Sequence, residues 1–128
     1  MQNLDRKLKE YRTAVIDPYH ELWKQLAQML TLKNENNLEL RATQAAYDNA
    51  LTFLRYATER MTIPLPNLTP DGEGGIDIEW ERNGRHLALN CGGLGTGNFV
   101  AWRGPNDRYE GEPATNELLT QKLNWLKS

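Results

Sequence analysis

The dipeptide Asn83-Gly84 constrains the fold of this chain more than any other feature of its sequence. Asn-Gly is the preferred pair for a two-residue type I′ turn, because both central residues of that turn need positive φ angles. Such a turn sets the register of the strands on either side of it, which we predict over residues 76–91. The predicted cross-strand pairs are Arg82–Arg85, Glu81–His86, Trp80–Leu87, Ile78–Leu89, Asp77–Asn90 and Ile76–Cys91.

This register separates the apolar side chains of the hairpin from its polar ones. One face collects Ile76, Ile78, Trp80, Leu87, Leu89 and Cys91. The other face collects Asp77, Glu79, Glu81, His86, Ala88 and Asn90. A shift of one residue would mix the two sets, so the turn and the hydrophobic pattern support the same hairpin.

Glycine placement divides the chain into a helical half and a sheet half. All ten glycines fall within residues 72–111. Since glycine destabilises a helix interior by about 1 kcal/mol, a first half without glycine favours helices. Apolar side chains recur there every three or four residues and predict helices at 3–16 and 18–31, or one kinked helix. The pair Asp17-Pro18 between them is a helix-start signal.

The most regular helical pattern covers residues 40–61. Its stripe is formed by Leu40, Thr43, Tyr47, Ala50, Leu54, Ala57 and Met61. A stripe this narrow fits a helix that packs lengthwise on one antiparallel neighbour, so we expect an N-terminal helical hairpin. The alternative is an intermolecular coiled coil, in which these N-terminal helices would form a homo-oligomer and the chain would be a self-associating structural protein.

The rest of the chain predicts strands followed by a last helix. The proline-rich and glycine-rich segment 63–75 favours an extended connector. Residues 98–104 and 108–112 have the pattern of a third and a short fourth strand, and a C-terminal helix starts near Pro113 or Thr115.

We therefore predict a single α+β domain over residues 1–128, with an antiparallel meander of three or four strands and a C-terminal helix packed on the sheet. Its parts are a helical region 1–62, a connector 63–75, a sheet 76–112 and a helix 113–127.

Composition argues against several classes of protein. No apolar run is long enough to span a bilayer, and the charged segment MQNLDRKLKEYR lacks the apolar stretch of a signal peptide. A single cysteine, Cys91, excludes an internal disulfide. We therefore expect a soluble cytoplasmic protein that does not bind membranes. The net charge of −2 argues against nucleic-acid binding, which requires a basic surface.

Residues suited to catalysis are scarce. The only serine is Ser128, so a Ser-His-Asp triad cannot be built. A thiol mechanism would pair Cys91 with His86 or His20, but the hairpin register puts Cys91 and His86 on opposite faces. The sequence therefore predicts a buried structural cysteine, no catalytic residue and a protein that is not an enzyme.

We predict no bound metal and no cofactor. Residues 71–82 begin like an EF-hand loop but lack its glycine and its bidentate glutamate. A cation site of another kind, among Asp71, Glu73 and Asp77, stays open. The segment 92–97 lacks the residues of a phosphate-binding loop and predicts a flexible strand connection. A small enzyme or a ligand-binding protein that uses the acidic strand or this loop is the alternative.

Our first functional hypothesis is a protein-interaction module that acts by binding another protein, as an accessory, antitoxin-like or inhibitor-like partner. Its predicted contact residues are Asp77, Glu79, Glu81, His86, Trp102 and Tyr109. The three acids alternate along one strand, so they share a face. A solvated surface and a general acid/base pair are the other interpretations of these acids.

Parts of the second half match a recurring pattern. The matching residues are Ala50, Phe53 and Leu54, then Pro66 and Pro70, then Gly74, Gly75, Ile76, Glu79 and Trp80. In these positions the chain resembles a family of small bacterial proteins of uncharacterised function, which share a proline-rich connector and a G-G-(I/V)-x-x-E-W strand. The resemblance covers residues 45–127, but the Gly-Trp-rich segment that precedes the helix in that family is missing here. It implies the fold and no activity.

Overall fold

The computed structural model describes residues 17–31, 41–102 and 108–128, with the backbone path alone for 100–102 and 108–111. Three helices and five strands lie in these ranges. They are α1 (His20–Gln28), α2 (Gln44–Arg60), β1 (Asn67–Pro70), β2 (Ile76–Arg82), β3 (Arg85–Cys91), β4 (Gly97–Trp102), β5 (Arg108–Pro113) and α3 (Asn116–Lys127). The α+β class, the antiparallel sheet and the C-terminal helix are confirmed. The predicted helix 3–16 lies outside the described residues.

The hairpin has the predicted register throughout. Strands β2 and β3 pair antiparallel with every predicted partner, from Arg82–Arg85 to Ile76–Cys91. Asn83 and Gly84 have φ angles of 54° and 73°, the positive pair that a type I′ turn needs. The apolar face is buried, and Trp80, its largest side chain, is only 2% exposed.

The sheet has five strands in the order β1-β2-β3-β4-β5, so the predicted number of three or four was too low. The extra strand is β1, which comes from the predicted connector and pairs Leu68 with Ile78. Prolines argue against a strand because they lack the N–H of a sheet hydrogen bond. However, β1 is an edge strand, and Pro70 is tolerated there because one side of the strand needs no partner. The predicted fourth strand is confirmed as β5.

Helices α2 and α3 contact strands β2 and β3, and α1 packs against α2. Their leucines and alanines join the apolar face of the hairpin in one core. We call this side of the sheet the inner face. The predicted packing of α2 along a single neighbour was wrong in detail. Because α2 meets two helices and the sheet, its buried surface also includes Ala46 and Phe53.

The helix starts differ from the sequence pattern for local reasons. Pro18 lies in a turn before α1, where the Asp17 carboxylate accepts a hydrogen bond from the backbone N–H of Tyr19 at 2.9 Å. Thr43 belongs to no helical stripe: it is the N-cap of α2, and its hydroxyl accepts from the N–H of Ala46 at 3.1 Å. Thr115 caps α3 in the same way, as one of the two predicted starts.

The connector before β1 is attached to the core by two hydrogen bonds. The indole Nε1 of Trp80 donates to the carbonyl of Pro64 at 2.9 Å, and the N–H of Ile63 donates to the Tyr19 hydroxyl at 3.1 Å. Among the helices described, none has the length and apolar character required to cross a membrane.

Candidate functional site

The side of the sheet opposite the helices carries mostly polar side chains, and we call it the outer face. At the positions of β1 to β4 whose side chains the structure describes, its residues are Asn67, Thr69, Asp77, Glu79, Glu81, His86, Ala88, Asn90 and Asn98. All of them are exposed or half-buried. The outer-face positions of β1, β2 and β3 hold three carboxylates and no lysine or arginine, so this part of the face is acidic.

The structure places four of the six predicted contact residues together on the outer face. Glu79 and Glu81 are exposed there, while Asp77 and His86 are half-buried. The Glu81 carboxylate lies 3.5 Å from Nε2 of His86, and 69% of the Glu81 side chain is exposed. A contact this exposed contributes under about 1 kcal/mol. Glu81 is therefore available for contacts outside the chain.

The other two predicted contact residues belong to β4 and β5, where the structure gives the backbone path. Trp102 pairs with His86, in the row of cross-strand pairs that contains Glu81. Tyr109 pairs with Ala101, in the row that contains the buried Leu87. The register therefore groups Trp102, but not Tyr109, with the acidic residues.

A cavity of about 370 Å³ lies at one end of the sheet, and we call it the loop cavity. Its walls come from the β1–β2 loop, the β3–β4 loop, the end of β3 and the start of α2. The lining residues are Thr43, Asp71, Glu73, Asn90, Gly92, Gly93, Leu94 and Thr96. Asp71 and Glu73 are the charged members of this set, so the cavity is anionic.

The carboxylate of Asp71 organises the β1–β2 loop. Its Oδ1 accepts hydrogen bonds from the backbone N–H groups of Glu73 at 2.7 Å and Gly75 at 2.8 Å. Its Oδ2 accepts from the side-chain amide of Asn90 at 3.0 Å. Burial acts to raise the pKa of Asp71, but these three hydrogen bonds outweigh it and hold the pKa below its ordinary value. Asp71 is therefore ionised at neutral pH.

Asn90 joins the loop cavity to the outer face. Its Nδ2 also donates to Oδ1 of Asp77 at 2.8 Å, so one amide group bridges two carboxylates. Because the amide of Asn90 lies between Asp71 and Asp77, this bridge argues against a cation site among Asp71, Glu73 and Asp77. In the described ranges, no three His, Cys, Asp or Glu side chains are placed to hold a metal ion.

Thr43 holds both loops of the cavity against α2. Its backbone N–H donates to the carbonyl of Gly74 at 2.8 Å, and its hydroxyl donates to the carbonyl of Gly93 at 2.7 Å. Sequence reasoning assigned Thr43 to a helical stripe and missed this role. A threonine in front of a helical pattern is an N-cap signal, and it would have indicated where α2 begins.

The two loops touch through glycine backbone. A Cβ added to Gly93 would lie 2.8 Å from the carbonyl oxygen of Glu73, closer than real contacts allow. The β3–β4 loop is further held by Asn49, whose amide donates to the carbonyl of Gly95 at 3.2 Å. The predicted flexible connection is thus fastened to its neighbours. Its glycines permit close packing, and the carboxylates beside them disfavour a phosphate.

Cys91 lies on the inner face, where its side chain is fully buried. Burial, and secondarily the nearby charge of Asp77, raises the pKa of the Cys91 thiol to about 12. The reactive form of cysteine is the thiolate, so at neutral pH this residue is a packed thiol and a poor nucleophile.

Comparisons of the chain with models of protein families, with curated proteins and with solved structures gave no match. The resemblance to small bacterial proteins therefore stays a prediction. A function has to be inferred from the outer face and the loop cavity.

Proposed function

We propose that this protein is a non-enzymatic interaction module that binds another protein through the outer face of its sheet. In this proposal it acts by occupying its partner, as an accessory, antitoxin-like or inhibitor-like protein does. The partner's complementary surface is basic.

The observation that carries the proposal is the contrast between the two faces of the sheet. The inner face is buried under α2 and α3. The outer face of the same strands presents Glu79 and Glu81 as exposed carboxylates. An antiparallel sheet with one covered face is a stable architecture, and its second face is then available for binding.

The charges on the outer face favour a basic partner. Asp77, Glu79 and Glu81 follow one another along β2, and no arginine or lysine occupies an outer position of β1, β2 or β3. Such a surface attracts cationic surfaces and repels acidic ones, so it supports both fast association and selectivity.

Two features support binding rather than catalysis. The thiol of Cys91 is buried with a pKa raised to about 12, which removes the chain's one cysteine as a nucleophile at neutral pH. The only serine is Ser128, at the end of α3, and its hydroxyl is engaged with the carbonyl of Trp125.

The experiment is an affinity capture from cells that express the protein, with bound proteins identified by mass spectrometry. The test variant is Glu79→Lys/Glu81→Lys, which reverses two exposed charges and leaves the Asp77–Asn90 bond intact. The matched control is Glu21→Lys/Glu59→Lys, which makes the same charge change at exposed positions of α1 and α2.

We expect the native protein and the control variant to recover the same partner, and the outer-face variant to lose it. If all three proteins recover the same partner equally, the outer face is solvated surface and the proposal fails. Circular dichroism of each variant is the control for whether the fold is kept.

A further inference from the structure

We propose that the loop cavity receives an arginine side chain of the partner protein, while Leu94 packs against an apolar part of the same partner. This inference rests on the proposed function and names the chemistry of the partner at one end of the outer face.

The charge of the loop cavity selects a cation. Its two charged lining residues are the carboxylates Asp71 and Glu73, and its other lining residues are neutral. Within the described part of the chain, the Glu73 carboxylate accepts no hydrogen bond and forms no ion pair. One of the two carboxylates is therefore available to a group from outside.

The size and the ligand set of the cavity favour an organic cation over a metal ion. A volume of about 370 Å³ falls in the range of pockets that hold organic groups. Metal ions such as calcium need six or more oxygen ligands close together, whereas a guanidinium group is planar and donates up to five hydrogen bonds. The carboxylate of Glu73 and the hydroxyl of Thr96 line the cavity and can accept hydrogen bonds from such a donor.

The loop cavity is preformed, because contacts within the chain hold its walls in place. Thr43 and Asn49 fasten the β3–β4 loop to α2, and Gly93 is pressed against the backbone of Glu73. A site with fixed walls loses little conformational entropy on binding, which favours affinity.

Leu94 is the independent observation that points to a protein rather than a free small molecule. Its side chain is 95% exposed, and it is one of the residues that line the anionic cavity. Hydrogen bonds to the carbonyls of the residues on either side, Gly93 and Gly95, hold it in this position. Removing a leucine side chain from water is favourable, so a partner that covers Leu94 gains binding free energy.

The loop cavity lies next to the outer face, so one partner can contact both. Asn90 lines the cavity and is bonded to Asp77 on the outer face. A partner that covers Asp77, Glu79 and Glu81 of β2 therefore also reaches the loop cavity. It needs no second binding site elsewhere on the molecule.

The first test uses a small probe and needs no partner. Backbone amide signals are followed by NMR while N-acetyl-L-arginine N-methylamide is added, and the citrulline analogue is the neutral control. We expect saturable shifts at residues 71–75 and 92–96 with the arginine probe alone. The variant Glu73→Gln should bind it about threefold to fivefold more weakly, as for an exposed ion pair.

Equal shifts with the citrulline analogue, no localised shifts with arginine, or unchanged binding by Glu73→Gln would each overturn the inference. Because the Glu73 side chain holds no other described residue, this variant should keep the fold. The probe therefore gives a decisive result even if no partner is captured.

The second test uses the partner recovered with the native protein. Leu94→Asp should lose that partner, whereas Leu65→Asp, a matched change at the other exposed leucine of the described ranges, should keep it. If the outer-face variant loses the partner while Leu94→Asp keeps it, the loop cavity is not part of the interface and the proposed function still stands. If no partner is recovered although the arginine probe binds, the proposed function fails.

Discussion

The side-chain amide of Asn90 donates hydrogen bonds to carboxylates on two different elements, Asp71 in a loop and Asp77 in β2. An amide nitrogen has two hydrogens, and here both are used. A single neutral residue thus keeps two negative charges close together at the edge of the acidic surface. The hairpin register predicts that Asn90 lies opposite Asp77. Nothing in the local sequence indicates the second bond, because Asp71 lies nineteen residues from Asn90.

Asp71 gives a prediction about pH. Its pKa in the folded protein lies below the ordinary value of 3.8, so its ionised form stabilises the fold above that pH. This contribution is lost as the pH falls through the lowered pKa. We expect Asp71→Asn to be less stable than the native protein at about pH 6, and the difference to shrink at about pH 3.

Urea unfolding at the two pH values, followed by tryptophan fluorescence, measures this difference. Glu79→Gln is the control for the loss of one negative charge from a neighbouring surface, and its effect should be small at both pH values. A gap between Asp71→Asn and the native protein that stays constant with pH would contradict the assignment.

At the scale of elements, the β2–β3 turn gives the sharpest prediction. Gly84 has a φ angle of 73°, a conformation that costs a residue with a Cβ about 1 kcal/mol or more. Gly84→Ala should therefore lower the free energy of unfolding by about 1 kcal/mol, measured in urea. Gly84→Asn should lower the free energy of unfolding by less, because asparagine tolerates positive φ. Equal stability of the native protein and Gly84→Ala would show that the turn does not require glycine.

The hairpin could be predicted from sequence because turn chemistry and hydrophobic alternation are both local. Asn83 and Gly84 set the register, and each cross-strand pair then follows by counting. Strand β1 could not be predicted in this way. Whether Pro70 interrupts a strand depends on whether that strand lies at the edge of the sheet, and this is decided by tertiary structure.

The candidate site also has one part that the local sequence pattern predicts and one part that depends on tertiary structure. The outer-face acids follow from the alternation of β2, so Asp77, Glu79 and Glu81 could be grouped in advance. The loop cavity depends on hydrogen bonds between distant segments, such as Thr43 with Gly93 and Asn49 with Gly95. Such contacts have no periodic signal in the sequence, and only the N-cap position of Thr43 could have been recognised.

At the scale of the whole molecule, helices and sheet share one core, and this predicts cooperative unfolding. Leu123 of α3 is fully buried among inner-face side chains. Replacing it with alanine should lower the free energy of unfolding by about 3 kcal/mol, because the change leaves a cavity in the core that helices and sheet share. Far-UV circular dichroism and tryptophan fluorescence should then give the same lowered midpoint.

Leu118→Ala on the same helix is the matched control. Because Leu118 is only partly buried, this substitution should lower the free energy of unfolding by less than Leu123→Ala. Two separate midpoints for the two signals in Leu123→Ala would mean that helices and sheet unfold independently, contrary to the shared core.

Each strand of the sheet pairs with the strand before or after it in the chain. The entropy cost of closing a loop rises with its length, so a meander of this kind forms its contacts by short steps. The hairpin of β2 and β3 can close first, on the microsecond scale of isolated hairpins, and β1 can then add to its edge. During synthesis the first three strands are therefore able to assemble as soon as Cys91 has emerged, before β4, β5 and α3 exist.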